Sequence, residues 1–125
     1  QRVFECIQKD LFVSAISVGR GGLAVALAKT CIAGMLGAQV TLNTLPGTVS
    51  QKDNILFSES QGRILIGIDP TKRSTFEAWM KEMPIALIGK VTQTPSISIA
   101  NHGSTLVTID LGQAYRAYHQ TFKDF

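Results

Sequence analysis

The residue types best suited to chemistry in this chain are gathered in Leu56-Phe57-Ser58-Glu59-Ser60-Gln61-Gly62-Arg63. A carboxylate such as Glu59 orients a hydroxyl or an ammonium, the Gln61 amide reads a donor–acceptor pair, and the Arg63 guanidinium neutralises a phosphate. Arg63 alternates with Ile64, so its other expected place is the solvent side of a strand. The segment separates two hydrophobic stretches, Ile55–Phe57 and Ile64–Ile68, and reads as a hairpin connection. Such turns usually rely on Gly, Asn, Asp or Pro, and this one has only Gly62 near its end. A buried polar group without a partner costs about 1–3 kcal/mol. The groups of this cluster must therefore satisfy one another, face water, or meet a ligand.

A second motif, Gly19-Arg20-Gly21-Gly22-Leu23-Ala24, fits G-x-G-x-x-A between an expected strand and an expected helix. Glycine lets backbone amides approach a phosphate at a helix N-terminus. It equally lets a strand and a helix pack tightly, and both readings stay open. A dinucleotide-binding fold is disfavoured because the next strand runs into Asn43 rather than an acid for the ribose hydroxyls. A Walker loop is excluded, since no Gly-Lys-Ser/Thr follows.

His102 and His119 lack metal-site spacing and any Ser or Cys partner, which suggests surface roles. No catalytic residue and no metal ligand set is expected. Glu77 and Lys81 suit an ordinary i,i+4 surface pair, and Trp79 a core anchor. Cys6 and Cys31 are too few for a disulfide framework and fall in helix-like apolar stretches, as buried thiols in a reducing cytoplasm would.

The elements that must position these residues follow from periodicity. At 125 residues, 45% hydrophobic and 17% charged, the chain is expected to form one domain with a real core. The net charge of +3 is scattered, without basic runs interleaved with aromatics, so no nucleic-acid partner is expected. No apolar run reaches the roughly 18 residues of a membrane span and no signal peptide is seen, so no membrane partner is expected either. The chain starts at Gln1 without an initiator methionine and is expected to be a piece of a longer protein.

Helical spacing marks residues 2–11, Leu23–Met35, Thr75–Met83 and Ala114–Phe125. Gly34 and Gly37 are expected to end the second helix with a left-handed turn. Strands are expected at Phe12–Val18, Ala38–Leu42, Ile64–Ile68, Ile85–Val91, Ser96–Ala100 and Leu106–Ile109, with a long loop over Asn43–Asn54. That order predicts an α+β fold with helices packed on a mixed sheet.

Residues 21–37, Gly-Gly-Leu-Ala-Val-Ala-Leu-Ala-Lys-Thr-Cys-Ile-Ala-Gly-Met-Leu-Gly, precede Leu-Phe-Ser-Glu-Ser-Gln-Gly-Arg by about twenty residues. Together they resemble the C-terminal domain of the phosphoribosylformylglycinamidine synthase family, glutamine-dependent ligases of purine biosynthesis. Asp69-Pro70, the short Trp79 helix and Ile88-Gly89-Lys90-Val91 extend the resemblance from about Leu11 to Tyr118. The wording of the first motif is closest to the second of the family's two internal halves. The resemblance implies α/β/α layers with a mixed sheet, of the aminoimidazole ribonucleotide synthetase C-terminal type. It implies that ATP and magnesium are bound mainly by other domains, that a glutaminase domain or subunit supplies ammonia, and that the protein is cytoplasmic. It also implies that Glu59, Ser60 and Gln61, with Gly21 and Gly22, line a ligand cleft facing a neighbouring domain. One departure stands out. Where the family has His-Asp-x-Ser-Asp/Glu before Gly-Gly-Leu, this chain reads Ile16-Ser17-Val18-Gly19-Arg20.

Overall fold

The computed structural model describes residues 1–45 and 52–120. Helix α1 spans Arg2–Gln8, α2 Gly22–Gly34, α3 Lys52–Phe57, α4 Arg73–Trp79 and α5 Leu111–Gln120. The strands are β1 Ser14–Ser17, β2 Gly37–Thr41, β3 Ile64–Gly67, β4 Gly89–Thr92, β5 Ser96–Asn101 and β6 Ser104–Asp110. Strands β1 and β3 form an antiparallel ribbon with Ile16 opposite Leu65. The other four make a mixed sheet in the order β4-β2-β5-β6, in which β2 and β5 run parallel. The fold is therefore α+β with a mixed sheet, as the sequence predicts.

Period-two alternation explains how the layers stack. In the ribbon, Ile16 and Leu65 pack with α2, whereas Ile66 packs with Phe12, Cys6, Phe76 and Met80, a second core against α1 and α4. The ribbon thus lies between two helical layers. Beyond α2 comes the mixed sheet, which presents Ala38, Val40, Ile97 and Ile99 to Leu23, Ala26, Leu27 and Cys31. Having apolar partners on both sides, α2 must be apolar nearly all round, and its sequence is.

Several boundaries differ from expectation. Ile55–Phe57 is the last turn of α3, so residues 58–63 connect a helix to a strand and are not a hairpin turn. A three-residue apolar run suits either element, and α3 begins inside the expected loop. The Pro46-Gly47 part of that loop and Phe122 of the last helix lie outside the described residues. Only the end of Ile85–Val91 is a strand, because β2 pairs with it just from Gly89 onward. Gly34 is helical, Met35 takes the left-handed turn at φ 51°, and Gly37 starts β2. Glu77 pairs with Arg73 at 2.7 Å, not with Lys81, because α4 ends at Trp79 and Lys81 lies beyond the helix that would bring it alongside. The β5–β6 connection is a tight turn through His102 and Gly103, both at positive φ, as two-residue hairpin loops require.

Candidate functional site

The two sequence motifs meet at the N-terminal end of α2. Strand β1 leaves the ribbon at Val18, whose N–H donates to Arg63 O at 2.9 Å, and a turn closes from Gly22 N to Gly19 O at 2.9 Å. Gly21 (φ 80°) and Gly22 (φ 67°) then enter the helix in a conformation that other residues adopt only at a cost. Space decides the matter as well. A Cβ on Gly22 would stand 2.5 Å from Leu56 O and 2.7 Å from the Phe57 backbone. The end of α3 therefore lies directly against the start of α2, which carries residues 58–63 past the helix terminus.

There the Glu59 carboxylate Oε1 accepts the Gly21 N–H at 2.8 Å, 38 residues away in sequence. An acid is favoured at this end of a helix, where unpaired N–H groups and the helix dipole leave partial positive charge. No side chain from within the helix's own N-cap does this work, so Glu59 caps α2 from another element. Ser58 and Ser60 share a hydrogen bond between their Oγ atoms at 2.7 Å. Arg63 folds back, half-buried, and donates from Nη2 to Ser58 O. It neither points freely to water nor stands ready for a phosphate, although its Nε is buried with no partner among the described residues. Glu59, Ser60 and Gln61 are all exposed. The structure thus joins Glu59 to Gly21 and leaves Ser60 and Gln61 on the surface beside them.

The remaining candidates lie elsewhere. His102 is exposed in the β5–β6 turn, and His119 is exposed on α5, where its ring packs 4.3 Å from Tyr115 and 5.5 Å from Tyr118. Trp79 borders the second core, with Lys9 Nζ 4.7 Å from its ring centroid. Burial pushes both cysteine thiols upward, with Glu5 adding to the effect at Cys6. Side-chain and backbone hydrogen bonds from Thr71 lower the Asp69 carboxyl where it caps the turn at Pro70–Lys72. Sequence reasoning missed Ser17, Arg20 and Lys29, which line one concavity between β1 and α2.

No βαβ unit surrounds the glycines: β1 pairs antiparallel with β3, and β2 lies in the other sheet. The dinucleotide-fold alternative is thereby excluded. Among the described residues no three His, Cys, Asp or Glu side chains come together, and Glu59 Oε1 is already engaged by Gly21. Among the described residues no helix is long and apolar enough to cross a membrane.

The family described as AIR synthase related protein, C-terminal domain, matches residues 1–101. This chain belongs to that family. Among curated relatives, the phosphoribosylformylglycinamidine synthase subunit PurL of Synechococcus sp. (strain JA-3-3Ab) is 37% identical over 116 residues, covering 89% of this chain and 15% of the relative. PurL of Methanococcus aeolicus is 27% identical over 98% of this chain and 16% of its own length. The chain thus spans about one-seventh of the length of these relatives. Of solved structures, T. maritima PurL complexed with ATP matches with TM-score 0.82 at 22% identity, over 91% of this chain and 20% of that one. E. coli HypE matches with TM-score 0.67 at 19% identity, over 87% of this chain and 38% of that one. Both likenesses show a shared fold. The chain is homologous to the AIR-synthase-related C-terminal domain of PurL.

Proposed function

We propose that this chain serves as the second-half C-terminal domain of a phosphoribosylformylglycinamidine synthase and completes a ligand cleft of that enzyme. The observation that carries the reading is the Glu59–Gly21 hydrogen bond. It joins the two family motifs and holds the loop bearing Ser60 and Gln61 at the N-terminal end of α2. Exposed Phe57 and Ile64, 57% and 44% accessible, flank that loop and suit contact with a neighbouring domain. The parent enzyme would convert formylglycinamide ribonucleotide to the amidine with ATP and glutamine-derived ammonia, in the cytoplasm. Its ATP and magnesium would be bound mainly by other domains, and its ammonia would come from a glutaminase domain or subunit. Within that cleft Glu59, Ser60 and Gln61 would bind and orient a polar ligand beside the Gly21 turn, and Gly22, packed against the α3 backbone, would hold their loop at the helix end. The domain alone would carry out no turnover.

Two measurements test this. The 125-residue chain is expected to show no amidine synthesis and no ATP hydrolysis; turnover by the chain alone would sink the claim of dependence. Added to a synthase lacking its second-half C-terminal domain, the chain is expected to restore turnover, and Glu59→Ala to restore less.

A second reading is a structural module without a ligand role. It is favoured by the Glu59 carboxylate being used internally and by the closeness of Gly22 to the α3 backbone. Titration with a nucleotide or a ribonucleotide phosphate, followed by NMR at residues 57–63, separates the two. Shifts there support the cleft, and their absence supports the scaffold.

A further inference from the structure

The concavity between β1 and α2 encloses about 190 Å³ and is separate from the Glu59 loop. Ile16 and Val25 form its apolar floor, and Ser17, Gly19, Arg20 and Lys29 its polar rim. Its charge is entirely positive, because no carboxylate lines it. The nearby acid, Glu59, takes the Gly21 N–H instead. Among the described cations, Arg2, Lys72 and Arg73 are paired with Glu82, Asp10 and Glu77, whereas several others, Lys81 and Lys90 among them, form no ion pair with a described residue. Arg20 and Lys29 have no such partner among the described residues. Two like charges at one concave site raise the local potential for an anion.

Size sets the class of anion. Its volume lies below the about 300–1,000 Å³ usual for pockets that take whole small molecules, and it suits a phosphoryl group whose remainder extends out of the open side. Guanidinium, ammonium and hydroxyl together supply a donor set that suits phosphate oxygens.

We propose that this concavity binds the phosphoryl group of a small ligand directly, through Arg20, Lys29 and Ser17. The site stands on the cavity alone and does not depend on the cleft proposed above.

The test is NMR titration of the full chain with inorganic phosphate, with ribose 5-phosphate, and with acetate at matched ionic strength. Both phosphates are expected to shift the amides of Ser17, Gly19, Arg20 and Lys29. Arg20→Gln and Lys29→Gln are each expected to weaken binding about tenfold or more, with unfolding midpoints unchanged. Equal binding of the two phosphates assigns the site to free phosphate, and tighter ribose 5-phosphate assigns it to a phosphate ester; either supports the proposal. No shift, an equal response to acetate, or undiminished binding by both variants overturns it. Shifts confined to residues 57–63 would overturn this site while leaving the cleft standing.

Discussion

At its N-terminal end α2 is entered through Gly21 and Gly22, both at positive φ, and an amide there is taken by Glu59 from a distant loop. At its C-terminal end the helix is left through Met35, at φ 51° and 61% exposed. Backbone bonds alone close that end, from Met35 N to Ile32 O and from Leu36 N to Cys31 O. The same helix therefore needs glycine at one end and tolerates a bulky side chain in the left-handed region at the other. Contact makes the difference. The α3 backbone lies against Gly22, whereas nothing lies within 4 Å of a Cβ on Gly34.

The strongest way to break this comparison is Gly22→Ala. The new methyl meets Leu56 O at 2.5 Å, a backbone atom that cannot rotate away, and φ is 67°. Left-handed strain and overpacking together predict a loss of about 3 kcal/mol or more, measured by urea unfolding. A loss below about 1 kcal/mol would mean that α3 can move off the helix at little cost, and the N-terminal end would be no more constrained than the other.

The extent to which the sequence foretold this follows the range of the forces involved. Helix α2 is legible because its apolar spacing is local, β5 because Ser96–Ala100 alternates, and β6 because Leu106–Ile109 is a short β-branched-rich apolar run after the Asn101-His102-Gly103 turn. The nature of residues 56–63 is not, since three apolar residues before a polar run suit a strand or the last turn of a helix. Glycine is the usual residue for a left-handed end, so the sequence points to Gly34 and Gly37, yet Met35 between them takes the turn. In Gly37 the missing Cβ instead allows the carbonyls of Thr94 and Ser96 to come close. At the site, Glu59 was legible as a polar group in need of a partner, but Gly21 as that partner emerges only when α3 packs on α2. Arg20 and Lys29 stand nine residues apart across a strand-to-helix turn, and no spacing rule joins them.

Glu59→Ala tests the polar half of the N-terminal end. Loss of a helix-capping acceptor predicts about 1 kcal/mol of destabilisation. Glu59→Gln keeps an acceptor oxygen and should recover part of it, with the remainder reporting the charge. Equal stability of all three proteins in low salt would show that the bond to Gly21 N is dispensable and that glycine packing alone defines this end.

A pH series probes the buried flank of the C-terminal half, through Cys31. Burial raises its thiol in the folded chain, and Cys6 is raised by burial and then by Glu5. The folded state thus holds these protons to higher pH than the unfolded chain, where a thiol titrates at about 8.5. Their contribution is intact below that value and is lost as pH rises through the folded-state pKa. Stability should fall on the alkaline side, and a Cys6→Ala, Cys31→Ala protein should show a flatter alkaline limb. An unchanged limb would place the alkaline sensitivity in other groups.

The smallest effect is expected at Gly34 itself. A methyl there meets nothing, the residue is helical, and alanine is the better helix former by about 0.5–1 kcal/mol. Gly34→Ala should therefore raise stability by up to that amount. Met35→Gly relieves a left-handed side chain but frees the unfolded chain, and the two effects should nearly cancel, leaving a few tenths of a kcal/mol. Combining the two moves the glycine one residue along, to where the helix turns left-handed. Thermal unfolding of the single and double variants would then sharpen the contrast between the ends. A gain at Gly34 beside a large loss at Gly22 assigns the glycine requirement to the packed, Glu59-capped end. A loss at Gly34 would reveal a constraint on the C-terminal end that the open space around it does not suggest.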